Sequence, residues 1–230
     1  MGEFLENFRP DPDSDGFRQI WRTTKPLLLE AVVAVAPPYP DYPKMKVSRH
    51  GPDTSPSCPS ARDTSSQIEV HTYADSGNGF GSSYQEMAWE FLLANTLAIK
   101  TALRLKLFAW HQKQLTRFRN EDLPDDKALQ KYWKKIEQQT PVDEPAAVDH
   151  LFKLVVISLN DSGLDECGFS AFEFQTGWDH DHGLGILMHR DRVLAAGAMG
   201  ELICGTSIAA GARATQEYDM DLGDFSLRDL

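Results

Sequence analysis

The densest group of side chains able to do chemistry is Trp178-Asp179-His180-Asp181-His182-Gly183-Leu184-Gly185, where two carboxylates and two imidazoles occupy four successive positions. On an extended segment His180 and His182 project to one face and Asp179 and Asp181 to the other, because strand side chains alternate with period two. An H-x-H pair on a strand is half of a metal site, and His189 is close enough in sequence to add a third ligand across a hairpin. Metal-dependent catalysis, with Asp179 or Asp181 as ligand or base, is therefore one reading. The other is architectural: Gly183 and Gly185 supply unusual φ, the aspartates bond backbone N–H groups, and His182 is a structural hydrogen-bonder. The architectural reading is preferred, because no acidic residue follows at the spacing that completes an H-x-H set of the cupin type. Cys167 is expected to be buried and inert, since two acids precede it and nothing nearby would lower its pKa. No cofactor is expected.

The elements that must hold this segment are legible on both sides of it. Phe169 to Thr176 alternates F-S-A-F-E-F-Q-T, and Leu184–Met188 and Val193–Ala196 flank a turn at 189–192. With the apolar run Leu151–Leu159, these predict an antiparallel meander. Upstream, Ser83-Tyr84-Gln85-Glu86 has the S-x-x-E form of a helix start, and no Gly or Pro follows until Pro124. The spacing predicts one long helix, apolar nearly all round and packed on more than one face. Its end turns basic at Lys113, Arg117 and Arg119, which suits the negative end of the helix dipole. A second helix after Pro124 places Leu129, Tyr132, Trp133 and Ile136 on one side. Gln67–Tyr73 reads as a strand with Ile68, Val70 and Thr72 facing one way. The run Glu30–Val35 is a strand or a short buried helix, and Leu202–Gly211 a final helix or strand. The prediction is an α+β fold: an antiparallel sheet, from the C-terminal meander and N-terminal strands, packed against a long buried helix and a second basic helix. Its organisation is an acidic lead-in at 1–20, one α+β domain at 21–212 with a proline-rich loop at 37–66, and an acidic tail at 213–230.

Charge is segregated along this layout. The 230 residues carry a net charge of −11, yet 100–140 holds ten Lys/Arg against five Asp/Glu, a net +5, so the remainder is −16. A net negative chain is a poor nonspecific binder of nucleic acid or anionic membrane. Three dispersed cysteines with no C-x-x-C suggest a reducing compartment. An acidic N-terminus and a best apolar run of only ten residues, 27–36, argue against a signal peptide or a span, and we expect a cytoplasmic protein.

The stretch from Phe172 to Val193 (F-E-F-Q-T-G-W-D-H-D-H-G-L-G-I-L-M-H-R-D-R-V) resembles a bacterial domain of unknown function. Its members carry G-F-x-F-x-x-x-W-D-x-E-H-G-L-G-V-L, then a short turn and R-V-V. The helix from Tyr84 to Trp110 resembles that family's long helix ending in an aromatic cluster. The likeness covers about residues 67–202, with motif residues Trp178, Asp179, Asp181, His182, Gly183 and Gly185. Asp181 stands where the family has Glu, and Ala195-Ala196-Gly197-Ala198-Met199-Gly200 replaces G-G-A-D-x-A, so one acidic position is missing. Some members lie near polymorphic-toxin loci, so the resemblance implies an immunity-type role. It supplies no catalytic residues.

Three functions follow as expectations. The first is a non-enzymatic immunity protein that neutralises a basic toxin, a nuclease for example, by stoichiometric binding. Its contacts would be made by Asp161, Asp165, Glu166, Glu173, Asp179, Asp181 and the tail, since an acidic face steers a basic partner. The second is a metal-dependent enzyme built on His180, His182 and His189. The third is a regulatory or scaffold domain whose basic helical segment meets a second copy.

Overall fold

The computed structural model describes residues 4, 8–10, 21–23, 69–73, 80–120, 127–139, 143–176, 183–197 and 220–221. The fold class is α+β, as expected. Its centre is the predicted meander: β4 (Phe152–Leu164), β5 (Cys167–Thr176), β6 (Leu184–His189) and β7 (Arg192–Gly197), each antiparallel to the next. Both edges differ from the antiparallel expectation. β3 (Glu69–Tyr73) lies parallel to β4 and the two-residue β8 (Met220–Asp221) lies parallel to β7, giving a mixed six-stranded order β3-β4-β5-β6-β7-β8. Strands joined by a long crossover can pair in parallel, and the helices supply that crossover between β3 and β4. The short β1 (Phe8–Pro10) and β2 (Trp21–Thr23) pair with each other in a separate two-stranded sheet.

The predicted long helix is two. α1 spans Ser83–Ala94 and α2 spans Thr96–Asn120, with Asn95 at ψ 26° between them. No Gly or Pro causes the break. The Asn95 amide donates to the Phe91 carbonyl at 3.0 Å and the Thr96 hydroxyl to that of Leu92 at 3.0 Å. Side chains that bond back to the preceding turn bend helices in this way. The start of α1 is also displaced by one residue from the expected capping box. Ser82 is the cap, its Oγ accepting from the Gln85 N–H, and Gln85 rather than Glu86 bonds backward, its Oε1 accepting from the Gly81 N–H at 2.8 Å. The same buried amide donates Nε2–H to the Leu159 carbonyl at 3.4 Å, which fastens the helix start to β4.

One stripe of this helical run faces the sheet. Ala88, Trp89, Leu92, Ile99, Leu103 and Leu107 join Ile157, Leu159, Phe172, Phe174, Leu184, Ile186 and Met188 in the main core. The expectation of packing on more than one face is not met: Met87, Leu93, Leu97 and Leu105 are exposed. Phe4 and Phe8, inside the stretch expected to be an acidic lead-in before the domain, are buried in the core, and the Phe8 ring meets Trp89 edge-on at 5.2 Å. The expected second basic helix, α3, spans Lys127–Gln139, and its Glu137 pairs with Arg119 of α2 at 2.8 Å; the side chains of Leu129, Tyr132, Trp133 and Ile136 lie outside the described residues. A 3-10 turn at Pro145–His150 is fastened to α2 by a two-pronged pair in which Arg104 Nε and Nη2 donate to the Asp149 carboxylate. Because both side chains are partly exposed, Arg104→Ala should cost only about 1 kcal/mol. A double-mutant cycle with Asp149→Ala in urea melts would measure it. The expected elements at Glu30–Val35 and Leu202–Gly211, the 37–66 loop and most of the acidic tail lie outside the described residues.

Candidate functional site

Two polar groupings come from the meander, one at its hairpin ends and one on the sheet face turned away from the helices. The first begins with a two-residue turn between β4 and β5. Asp165 (φ 47°) and Glu166 (φ 62°) both adopt left-handed backbone, the geometry of the tight hairpin turn that usually carries Asn-Gly. Cross-strand pairing of Phe169 with His189 brings the next hairpin end alongside. There His189 Nε2 lies 2.9 Å from the Leu164 carbonyl, which can only accept, so Nε2 carries the proton. Arg190, itself at φ 57°, donates from Nη2 to the Asp165 carbonyl at 3.3 Å. Two side chains of one hairpin thus grip the carbonyls of the other, and the Asp165 and Glu166 side chains are left exposed. Cys167, just behind the turn, is buried. Burial pushes its thiol up while the neighbouring Arg190 pulls the other way, which suits the inert role expected of it.

The second grouping follows from alternation. Ser158 and Glu173 sit between core-facing Ile157 and Leu159 and between Phe172 and Phe174, so they occupy the opposite face. The Ser158 hydroxyl donates to Glu173 Oε1 at 3.2 Å, and His71 of β3 stands across from Ser158. Glu173 is 4% exposed, and burial raises it from the ordinary 4.5 to about 7, the Ser158 hydrogen bond opposing this in part. Gly185 of the motif lies directly opposite Glu173 on β6. Ser158 and Glu173 are 0% and 4% exposed, which leaves no opening through which a substrate could reach the hydroxyl, so the pair reads as an internal polar anchor.

The structure divides the residues expected to make partner contacts. Asp165 and Glu166 are exposed and adjacent, whereas Asp161 and Glu173 are buried and form no part of an acidic outer face. Asp161 is buried because β4 continues to Leu164, past the predicted end at Leu159, and Glu173 because β5 is covered on both faces. Trp178, Asp179, His180, Asp181 and His182 lie outside the described residues, so the H-x-H pair is not placed. Of the motif, Gly183 has φ 62° immediately before β6, the unusual backbone expected of it, whereas Gly185 is an ordinary strand residue within β6, against expectation. His189, the third metal-ligand candidate, uses Nε2 on the Leu164 carbonyl. Among the described residues no three His, Cys, Asp or Glu side chains gather as a metal set, and no helix is long and apolar enough to cross a membrane.

Sequence reasoning missed Ser158, His71 and Arg190. Ser158 had a visible signal, a lone hydroxyl in the apolar run 154–159, and Arg190 had none, because its role depends on two hairpins meeting.

No curated protein and no solved structure matches the chain. One domain family does match, over residues 53–203, and its range takes in β3 to β7 together with α1, α2 and α3. That range is well over half of the sequence, and the chain belongs to this domain-of-unknown-function family, DUF6985.

Proposed function

We propose that the chain is a non-enzymatic binding protein that captures a basic protein partner by stoichiometric contact, and that the partner is a toxin it neutralises. The observation carrying this reading is the Asp165-Glu166 turn. Its two carboxylates project to solvent from a backbone held by His189 and Arg190. A charged tip that is already ordered loses little freedom on binding, and carboxylates displayed on a chain that is −16 outside residues 100–140 steer a cationic partner.

The double substitution Asp165→Asn with Glu166→Gly tests the idea without damaging the fold, because Asn and Gly are the residues this turn geometry prefers. Stability should rise by about 0.5 to 1 kcal/mol as the left-handed strain is relieved. The association rate with the toxin encoded beside the gene should fall roughly tenfold at low salt. Surface plasmon resonance over a salt series reads the rate and urea melts read the stability. An unchanged rate, or no complex between the wild-type protein and its neighbouring gene product, would remove the proposal.

A further inference from the structure

The outward side of the α1–α2 run has the wrong residues for water. Leu93, Leu97, Thr101, Leu105 and Ala109 recur at intervals of four, all exposed, with Leu97 at 76% and Leu105 at 55%. Ala94 and Ala98 flank them, and no charge falls on this row. An open groove of about 630 Å³ lies along it, lined by Ala94, Leu97, Ala98, Thr101 and Leu105, with Asp191 of the β6–β7 turn on its rim. Contiguous exposed apolar surface of this kind marks a contact face.

We propose that a second copy of this chain covers the row, the two helices crossing antiparallel about a two-fold axis near Thr101. Two features specify that occupant. The row is symmetric about Thr101, so antiparallel pairing sets Leu97 against Leu105 and Leu93 against Ala109, each copy contributing the same patch as a closed dimer requires. Rows at intervals of four are also the ridges that interdigitate in the commonest helix packing. Second, the charge along the run is polar. α1 contains Glu86 and Glu90 and no cation, whereas α2 contains six cations and no acid. Antiparallel pairing brings the acidic start of each copy toward Lys113 and Arg117 of the other, while parallel pairing stacks like on like. Near the axis Arg104 is already neutralised by Asp149, and Asp191 stands on the rim of the groove.

The test uses the full chain in sedimentation equilibrium. The wild-type protein should be a dimer, and Leu97→Glu and Leu105→Lys should each be monomers with unchanged circular dichroism, because neither leucine serves the core. Mixing Leu97→Glu with Leu105→Lys should restore a dimer, since position 97 faces position 105. Mixing Leu97→Glu with Leu97→Lys should not. A monomeric wild-type protein, a dimer indifferent to Leu97→Glu, or equal rescue in both mixtures would overturn the proposal. The toxin-binding reading is tested by separate substitutions at the hairpin turn, so either idea can fail without the other.

Discussion

Gly168→Ala should destabilise the protein by about 3 kcal/mol, near the upper end of what overpacking costs. A Cβ at this position would stand 2.5 Å from the Asn160 carbonyl oxygen and 2.8 Å from that of Tyr84. Both obstacles are main-chain atoms, so no rotamer change can clear them. Tyr84 lies in the first turn of α1, which is fixed by the Ser82 cap and by the bond from Gln85 to the Leu159 carbonyl. Asn160 lies in β4 where the register with β5 shifts, between Leu159 and Gly163. Relief therefore requires the helix start to lift from the sheet or the hairpin to shift register, and either would disturb Leu92, Phe172 and their neighbours in the core. The expected observation is a lowered urea midpoint with an unchanged slope, since the extent of folded structure is retained. A midpoint equal to that of the wild type would show that the helix rides over β5 less tightly than these distances state.

The close approach at Gly168 illustrates what a sequence can and cannot carry. Period-two alternation through Phe169–Thr176 and the apolar runs Leu184–Met188 and Val193–Ala196 on either side of 189–192 were sufficient to predict β5, β6 and β7, because burial enforces such patterns locally. The break at Asn95 was hidden because Asn and Thr are tolerated in helices, and only their bonds to Phe91 and Leu92 betray the bend. Phe4 and Phe8 were masked by acidic neighbours, although an aromatic pair four residues apart is the form a buried edge takes. The apolar residues all around the 83–120 run do not all serve the core: Ala88, Trp89, Leu92, Ile99, Leu103 and Leu107 are buried in it, Phe91, Ala102, Phe108 and Trp110 pack half-buried against it, and Met87, Leu93, Leu97 and Leu105 face outward. The Asp165-Glu166 turn was the least legible part of the candidate site, since Asp adopts left-handed backbone readily but Glu is not a customary occupant of it. Its geometry is maintained by His189 and Arg190, which come from a different hairpin.

The largest pH effect should appear only when one of two buried groups is removed. Glu173 titrates at about 7 when folded against an ordinary 4.5, so between those values the folded chain retains a proton that the unfolded chain has released. Its contribution is therefore full below 4.5 and is lost as pH rises to 7. His111, wholly buried on the inward stripe of α2, is pushed by burial from 6.5 down to about 4. Its contribution is full above 6.5 and is lost as pH falls to 4, because the unfolded imidazole takes up a proton that the folded one refuses. Each displacement corresponds to roughly 3 kcal/mol, and over their shared window the two slopes have opposite signs. The wild-type protein should accordingly show nearly constant stability between 4.5 and 6.5. Glu173→Gln retains the hydrogen bond with Ser158 but cannot ionise, so its stability should rise with pH through that window by about 3 kcal/mol. His111→Gln should show the reverse, falling by a similar amount as Glu173 is forced to ionise inside the sheet. Urea melts at half-unit intervals of pH on the three proteins would decide the matter. Three parallel profiles would mean that water reaches both groups, and that the polar anchor on the far face of the sheet is not the closed environment its burial describes.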